Sequence, residues 1–389
     1  MDPATVSAVL IVSSVLYYAA VQTGLIIGLV RLRKPTSDAK PFVSVIVAAR
    51  NEERSIARLL DSLLHQTYSN FEIVIVNDRS TDITAEVVRS YEESDPRIHL
   101  VTIESVFGGM PPKKNALTAG IRAAKGEILC FTDADCVPAR TWIETVVSYF
   151  DVGVGVVAGY SPYDPNLLST SAPGKRSNTL LNTFVVGEEF KGAVWSAGAI
   201  GMNLAWLCTG RNLAYRRSVF EQVGGFERIK MSVSGDDDLF LQLVRRQTQW
   251  NIRYATSPES VVRTAPPGSF AEFVTQRTRH FSAGKYFTLP MKAFFFFFHA
   301  SNLILFVGLF ASVLSTALAP LAITAFIAKL ALDLIVALIA TRVLIQRHPL
   351  RRFNFFTFLF TEILYIFYNT FIGPLGFFRR IEWKHDKTA

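Results

Sequence analysis

Ile128-Leu129-Cys130-Phe131-Thr132-Asp133-Ala134-Asp135 decides how this chain folds. A short apolar run ends in two carboxylates one residue apart, and the same grammar recurs upstream. Val43 to Ala48 is an apolar, β-branched run that leads into Arg50, Asn51 and Glu52, then into a helical spacing of Ile56, Leu59, Leu60, Leu63 and Leu64. Phe71 to Val76 reads as a buried strand ending in Asn77-Asp78-Arg79-Ser80-Thr81-Asp82, with a second helix through Val87 and Val88. Ile98 to Ile103 and a helix over Ala116 to Ala124 complete the approach to Ile128. Strands that alternate with helices imply βαβ units and a mostly parallel α/β sheet. Ligands of such sheets bind beyond the carboxyl ends of the strands. Asn51-Glu52, Asp78 and Asp133/Asp135 all fall at such ends.

Asn51 and Asp82 taken alone read as helix caps. Asp133 and Asp135 are different, because two carboxylates just past one strand can share a divalent cation or bridge it to a diphosphate. Lys113 and Lys114, in Pro-Pro-Lys-Lys-Asn-Ala-Leu, are placed either as point charges for those phosphates or as a solvated helix start. Further on, Thr209-Gly210-Arg211-Asn212 is a turn before a strand over Leu213 to Tyr215, and Gly224-Gly225-Phe226 comes after it. Ser234-Gly235-Asp236-Asp237-Asp238-Leu239 sets three acids at the start of a helix with apolar positions Leu239, Phe240, Leu243 and Val244. One such acid would complement the helix dipole. Three adjacent ones repel, so at least one needs a raised pKa or a cationic partner, and a carboxylate there is a candidate general base.

The chain has 389 residues, half of them hydrophobic and 19% charged, with mean hydropathy +0.28. That composition excludes disorder, a collagen-like chain and a disulfide scaffold. The apolar residues cluster: no Asp, Glu, Lys or Arg occurs from Ala293 to Ala328. At ~1.5 Å per residue that stretch exceeds a ~30 Å hydrocarbon layer. Four spans are expected, over Thr5 to Val30, Phe294 to about Ala317, about Pro320 to Ala340, and Phe353 to Gly373. The first reads as an uncleaved anchor rather than a signal peptide, since Asp2 replaces a basic start and Arg31, Arg33 and Lys34 come directly after the apolar run. Those basic residues orient the chain beyond Arg31 toward the cytosol.

Between Arg31 and Lys292 there are 31 basic and 27 acidic residues, a balance of +4 that suits a soluble domain and no nucleic-acid partner. Most of the remaining excess lies in Arg342 to Arg352 and in the tail from Arg379 to Lys387, where a bilayer surface would meet it. Three crossings after the domain put that tail outside, against the positive-inside rule, unless Phe353 to Phe378 is a re-entrant or interfacial element. Lys329 and Asp333 lie i,i+4 in the third span and can neutralise each other; a structural pair is favoured over an ion path. Phe270 to Phe287 is a basic amphipathic stretch expected at the membrane surface, with Gln276, Arg279 and His280 also placed to close the site. The three cysteines lack metal-ligand spacing and fit a reducing compartment. The expected divisions are an anchor over 1–34, a catalytic domain over 35–269, an interface helix over 270–292, spans over 293–378 and a basic tail over 379–389.

Val43-Ser44-Val45-Ile46-Val47-Ala48-Ala49-Arg50-Asn51-Glu52-Glu53, Asn77-Asp78-Arg79-Ser80-Thr81-Asp82, Lys113-Lys114-Asn115-Ala116-Leu117, Asp133-Ala134-Asp135, Gly210-Arg211-Asn212-Leu213-Ala214-Tyr215 and Gly235-Asp236-Asp237-Asp238-Leu239 stand in the order found in membrane-bound family-2 glycosyltransferases. In these motifs the chain resembles that family, and most nearly the ceramide glucosyltransferases and related lipid glycosyltransferases. The resemblance covers about residues 41 to 285 and implies a GT-A fold, Rossmann-like and nucleotide-sugar-binding. It implies that Glu52 and Asp78 hold the uridine part of a UDP-sugar donor. Asp133 and Asp135 would hold Mg²⁺ or Mn²⁺ and the diphosphate, with Lys113, Lys114 and Arg277 on the donor. Asp236 matches the catalytic base, and Gln276, Arg277 and Arg279 resemble the Gln-x-x-Arg-Trp element, so Gln276 and Arg279 join the catalytic set. Gly210, Asp237, Asp238 and His280 would form the acceptor region. Two positions depart from the pattern: Asn77 replaces the first acid of an Asp-Asp pair, and His280 replaces the Trp. Ile381-Glu382-Trp383-Lys384 is similar to the tail of lipid-glycosylating members.

The expected activity is inverting transfer of a hexose to a membrane lipid hydroxyl by a multi-pass protein of a bacterial cell membrane, its catalytic domain cytosolic. Three apolar segments after the domain are few for the channel of a processive polysaccharide synthase. A silent nucleotide-sugar-binding scaffold would not need Asp133, Asp135 and Asp236.

Overall fold

The computed structural model describes residues 2–105, 109–168, 179–311, 317–345 and 354–379. The Arg380 to Lys387 part of the basic tail, with Ile381-Glu382-Trp383-Lys384, and most of the Arg342 to Arg352 cluster lie outside them.

Among the described residues nine strands form, β1 (Val43–Ala49), β2 (Phe71–Asp78), β3 (Ile98–Ile103), β4 (Ile128–Phe131), β5 (Val137–Pro138), β6 (Val154–Gly159), β7 (Leu213–Arg216), β8 (Asn251–Ala255) and β9 (Val262–Arg263). Seven of them make one sheet in the order β3-β2-β1-β4-β7-β6-β8. β1 pairs parallel with β2 and β4, β2 with β3, and β6 with β8, whereas β7 runs antiparallel between β4 and β6. The sheet is thus mostly parallel, as its β-branched, two-face-buried strands require. The chain winds outward from β1 through β3 and returns on the other side of β1 as β4. That reversal opens a crevice at the carboxyl ends of β1 and β4, where α/β sheets bind ligands. β7 supplies the far wall: Phe131 is in register with Leu213, so the Gly210–Asn212 turn before β7 lies beside Asp133.

Helices Ile56–Leu64, Thr84–Ser94, Pro112–Ala123 and Asp238–Gln247 cover the sheet. Among the described residues, four helices are long and apolar enough to cross a membrane: Pro3–Val30, Leu289–Phe310, Ala319–Leu344 and Phe355–Phe378. The last is broken after Phe367 by a π turn, Tyr368–Ile372, before Leu375–Phe378. The second begins at Leu289 rather than Phe294, since Leu289 and Pro290 open its first turn. The amphipathic stretch is a helix only over Phe270–Ser282, capped by Ser269 on the Glu272 N–H.

One element has no counterpart in the sequence-based expectations. Thr179–Gly201 is a 23-residue helix lying between the sheet and the membrane-length helices. A Cβ at Gly28 of the first helix would overlap the Gly198 carbonyl, and one at Gly201 would overlap the Gly28 carbonyl, so glycine alone permits this crossing. Its Gly187 meets Thr361 of the fourth helix in the same way. Leu29, Ala197, Val336 and Leu344 share one apolar cluster with Ile46, Val74 and Leu129 of the sheet, making the two layers one continuous core.

Lys329 and Asp333 are fully buried and paired at 2.7 Å. The pair belongs to a larger network: Lys329 also reaches Glu362 at 3.4 Å, Glu362 meets Lys191 at 2.5 Å, and Asp333 accepts from Tyr18 and Gln22 at 2.5 and 2.7 Å. Two cations and two carboxylates balance, and they tie the first, third and fourth helices to Thr179–Gly201. This closed balance is the structural reading of Lys329 and Asp333.

Candidate active site

The loops after β1 and β2 are laced together by side chains. Asn51, at φ 54°, accepts from the Thr81 N–H at 2.8 Å; the Glu52 N–H donates to Thr84 Oγ1 at 2.8 Å, and the Glu53 N–H to Asp82 at 3.1 Å. Asn51 is one of the few non-glycine types that tolerates a left-handed backbone, and its amide uses that bend to bind the neighbouring loop. Asp82 also accepts from the Thr84 N–H at 3.0 Å, but the N-cap positions of the two helices are Ile83 and Ser55, so Asp82 and Asn51 tie the loops together instead of capping those helices. These loops wall a cavity of about 690 Å³ lined by Glu52, Ser55, Asp135, Gly268 and Gln276 among others. Gln276 is oriented there by the Tyr163 hydroxyl, which donates to its side-chain oxygen at 3.1 Å. Asp78 is fully buried at its strand end, taken up by the Arg79 guanidinium at 2.8 Å, and does not line the cavity.

Deeper along the crevice the charges converge. Lys113 Nζ lies 3.3 Å from Asp133 Oδ1 and 3.2 Å from Asp236 Oδ2. Burial would raise the Asp236 carboxyl, but Lys113 and then Lys114 hold it below its ordinary value of 3.8. Asp133 is likewise lowered: burial opposes, and Lys113, Arg211 and Arg279 prevail. The other two acids of the triplet do different work. Asp237 accepts from the Gly210 N–H at 3.0 Å and the Asp238 N–H at 2.7 Å, while Asp238 accepts from the Cys208 N–H at 2.7 Å. Both are shifted upward, by burial first and then by the adjacent carboxylates. They pin the 208–210 segment against the helix start and leave Asp236 as the acid facing Lys113. Gly235, at φ 84°, makes the sharp entry that aims Asp236 this way.

Lys114 does not join the Asp133–Lys113–Asp236 cluster. Its ammonium is buried beneath the loop before Asp236 and donates to the Ser232 and Ser234 carbonyls at 2.5 and 2.7 Å. Consecutive helical residues point about 100° apart, which separates Lys113 from Lys114. The same geometry separates Gln276 from Arg277. Arg277, expected on the donor, faces a second cavity of about 190 Å³ and pairs with Glu188 and, at 3.2 Å, with Glu189. Arg211 reaches Glu189 at 2.8 Å in the same cavity, which Lys113, Asp236, Arg279 and His280 also line. His280 Nδ1 sits 3.2 Å from Arg277. Although its surface is partly open, its imidazole is pushed below the usual histidine range, first by the protein packed around it and then by the charges of Arg277, Arg279, Arg211 and Lys113. Glu188 and Glu189 escaped the sequence reading; a Glu-Glu pair within an otherwise apolar run was the available signal.

Among the described residues no cluster of three or more His, Cys, Asp or Glu can enclose a metal ion. Asp133 faces Lys113, while Asp135 lines the 690 Å³ cavity; carboxylate oxygens are the ligand type that Mg²⁺ and Mn²⁺ take.

The profile described as Glycosyl transferase family 2 matches residues 44–224, and that described as Glycosyl transferase family group 2 matches residues 172–368. "Probable glycosyltransferase YdaM" of Bacillus subtilis is 27% identical over 266 residues, 66% of this chain and 58% of that protein. "Uncharacterized glycosyltransferase" of Haemophilus influenzae is 35% identical over 111 residues, 28% of this chain and 33% of that one. The chain thus spans less than two thirds of these curated relatives. The mannosyltransferase PcManGT of Pyrobaculum calidifontis, solved with GDP-Man and Mn²⁺, superposes with TM-score 0.50 at 22% identity, covering 92% of this chain and 98% of that one. Strand order, crevice and profile matches agree: the chain belongs to the family-2 glycosyltransferases and has their GT-A fold.

Proposed function

We propose that the chain transfers a hexose from a UDP-sugar to a hydroxyl of a membrane lipid, with inversion, at the cytosolic face. The observation that carries this reading is the Asp133–Lys113–Asp236 cluster, of which Lys113 and Asp236 line the 190 Å³ cavity. The 690 Å³ cavity takes the nucleotide, with Glu52 as its polar contact and Asp78 positioning the loop through Arg79. The 190 Å³ cavity takes the acceptor. Asp236, ionised, accepts the hydroxyl proton; the oxygen forms the new bond at the anomeric carbon, and the bond to the diphosphate breaks with its electron pair leaving on UDP. Lys113 and Arg279 place positive charge where the leaving diphosphate gains negative charge. Asp133 and Asp135 would hold a divalent cation whose charge offsets that of the diphosphate.

A lipid acceptor is supported by the wall of the second cavity. Glu188, Glu189, Gly192, Ala193 and Ser196 line it from the Thr179–Gly201 helix, whose other face packs on the first and fourth membrane-length helices. Purified protein incubated with a panel of UDP-sugars and a total lipid extract should yield glycosylated lipid by mass spectrometry. Label recovered only in long water-soluble polymer would favour processive synthesis, and no release of UDP would favour a silent scaffold.

A further inference from the structure

We propose that Lys113 is an internal counter-ion that competes with the divalent cation for Asp133, so that metal enters only together with the nucleotide diphosphate. This rests on the donor assignment above. Lys113 Nζ contacts both Asp133 and Asp236, at 3.3 and 3.2 Å, and only about a fifth of its side chain is exposed. The carboxylates are already compensated: Lys113 contacts both, and Arg211 and Arg279 add positive charge beside Asp133. A divalent cation arriving alone would meet a carboxylate that is neutralised and a cation already in contact with it. A diphosphate arriving with the metal changes the sum, because its oxygens attract both the metal and the ammonium. Lys113 then moves from the carboxylates to the phosphate, and Asp236 loses its ion-pair partner as the acceptor is needed. The consequence is an ordered site: the base is masked until the donor is bound.

Lys113 acts here by positioning charge, and its test reads metal and nucleotide binding rather than turnover. Full-length protein in detergent is titrated with Mn²⁺ alone, then with UDP plus Mn²⁺, by calorimetry or Mn²⁺ spin resonance. Removing a unit charge in contact with the same carboxylate should strengthen Mn²⁺ binding by about tenfold or more in Lys113→Met. Lys113→Arg, which keeps the charge, should stay near wild type. Asp133→Asn added to Lys113→Met should abolish the gain. With UDP present the order should invert, Lys113→Met binding more weakly than wild type. Mn²⁺ affinity in Lys113→Met equal to or weaker than wild type would overturn the counter-ion role. A gain that survives Asp133→Asn would overturn it too. Should the binding pattern hold while the wild-type protein transfers no sugar, the counter-ion role stands and the transferase assignment of the site falls.

Discussion

Lys329→Met tests the charge network that joins the membrane-length helices to the site. The side chain is 1% exposed and contacts Asp333 at 2.7 Å and Glu362 at 3.4 Å. Its removal leaves Lys191 facing two carboxylates, a net charge of −1 in a buried cluster. Removing one partner of a buried pair costs about 3–5 kcal/mol. Asp333 keeps its hydrogen bonds from Tyr18 and Gln22, and Glu362 keeps Lys191, which places the cost at the lower end, near 3 kcal/mol. For a chain of this size that corresponds to a fall of about 5 °C or more in Tm, read by intrinsic fluorescence in detergent at a fixed scan rate. Lys329→Met with Asp333→Asn restores neutrality and should recover most of the loss. A single variant that melts with wild type, or a double variant as damaged as the single, would refute charge balance as the network's purpose.

Three other outcomes rest on particular contacts. Gly28→Leu should abolish a monodisperse, folded peak in size-exclusion chromatography because the Gly198 carbonyl occupies the space, whereas Gly24→Leu, with nothing within 4 Å, should behave as wild type. Asp236 has a folded pKa below 3.8, so the rate that needs its carboxylate is present above that value and lost as pH falls through it. The kcat/KM profile should stay flat from pH 8 to about 5, and Lys113→Met should move the acid limb upward; a wild-type limb near 6 would contradict this. Finally, Asn354, where the fourth helix begins, lines a cavity with Thr341 and Ile345 at the sheet end of the third helix, while Gly376 packs on Phe281 and Ser282 of the interface helix. Both ends of this element thus meet sheet-side elements, so Phe378 is expected on the same side as the sheet. Phe378→Cys in a Cys208→Ser background should label with impermeant maleimide only in inside-out vesicles, and Ala317→Cys only in right-side-out ones.

The strand ends were legible in sequence because a buried strand leaves few places for Asp133, Asp135 or Asn51 except the crevice. The roles within acidic Asp236-Asp237-Asp238 were not, since only the fold shows that two of them hold backbone N–H groups of the 208–210 segment and one holds Lys113. Lys114 and Arg277 turn away from their sequence neighbours Lys113 and Gln276 for a common reason: helical rotation sends adjacent side chains apart, Lys114 to the Ser232 and Ser234 carbonyls and Arg277 to the 190 Å³ cavity. Thr179–Gly201 was missed because Glu188, Glu189 and Lys191 interrupt its hydropathy, though these charges are buried and paired by Arg277, Arg211 and Glu362.

Asp236→Asn measures the catalytic assignment most directly. The variant is compared with wild type for UDP binding by calorimetry and for single-turnover transfer of labelled sugar to the lipid acceptor found in the UDP-sugar panel. A general base is worth about 10²–10⁴-fold, so UDP affinity should hold while transfer falls by at least about a hundredfold. A folded Asp236→Asn protein that binds UDP and transfers sugar at the wild-type rate would show that the base lies elsewhere.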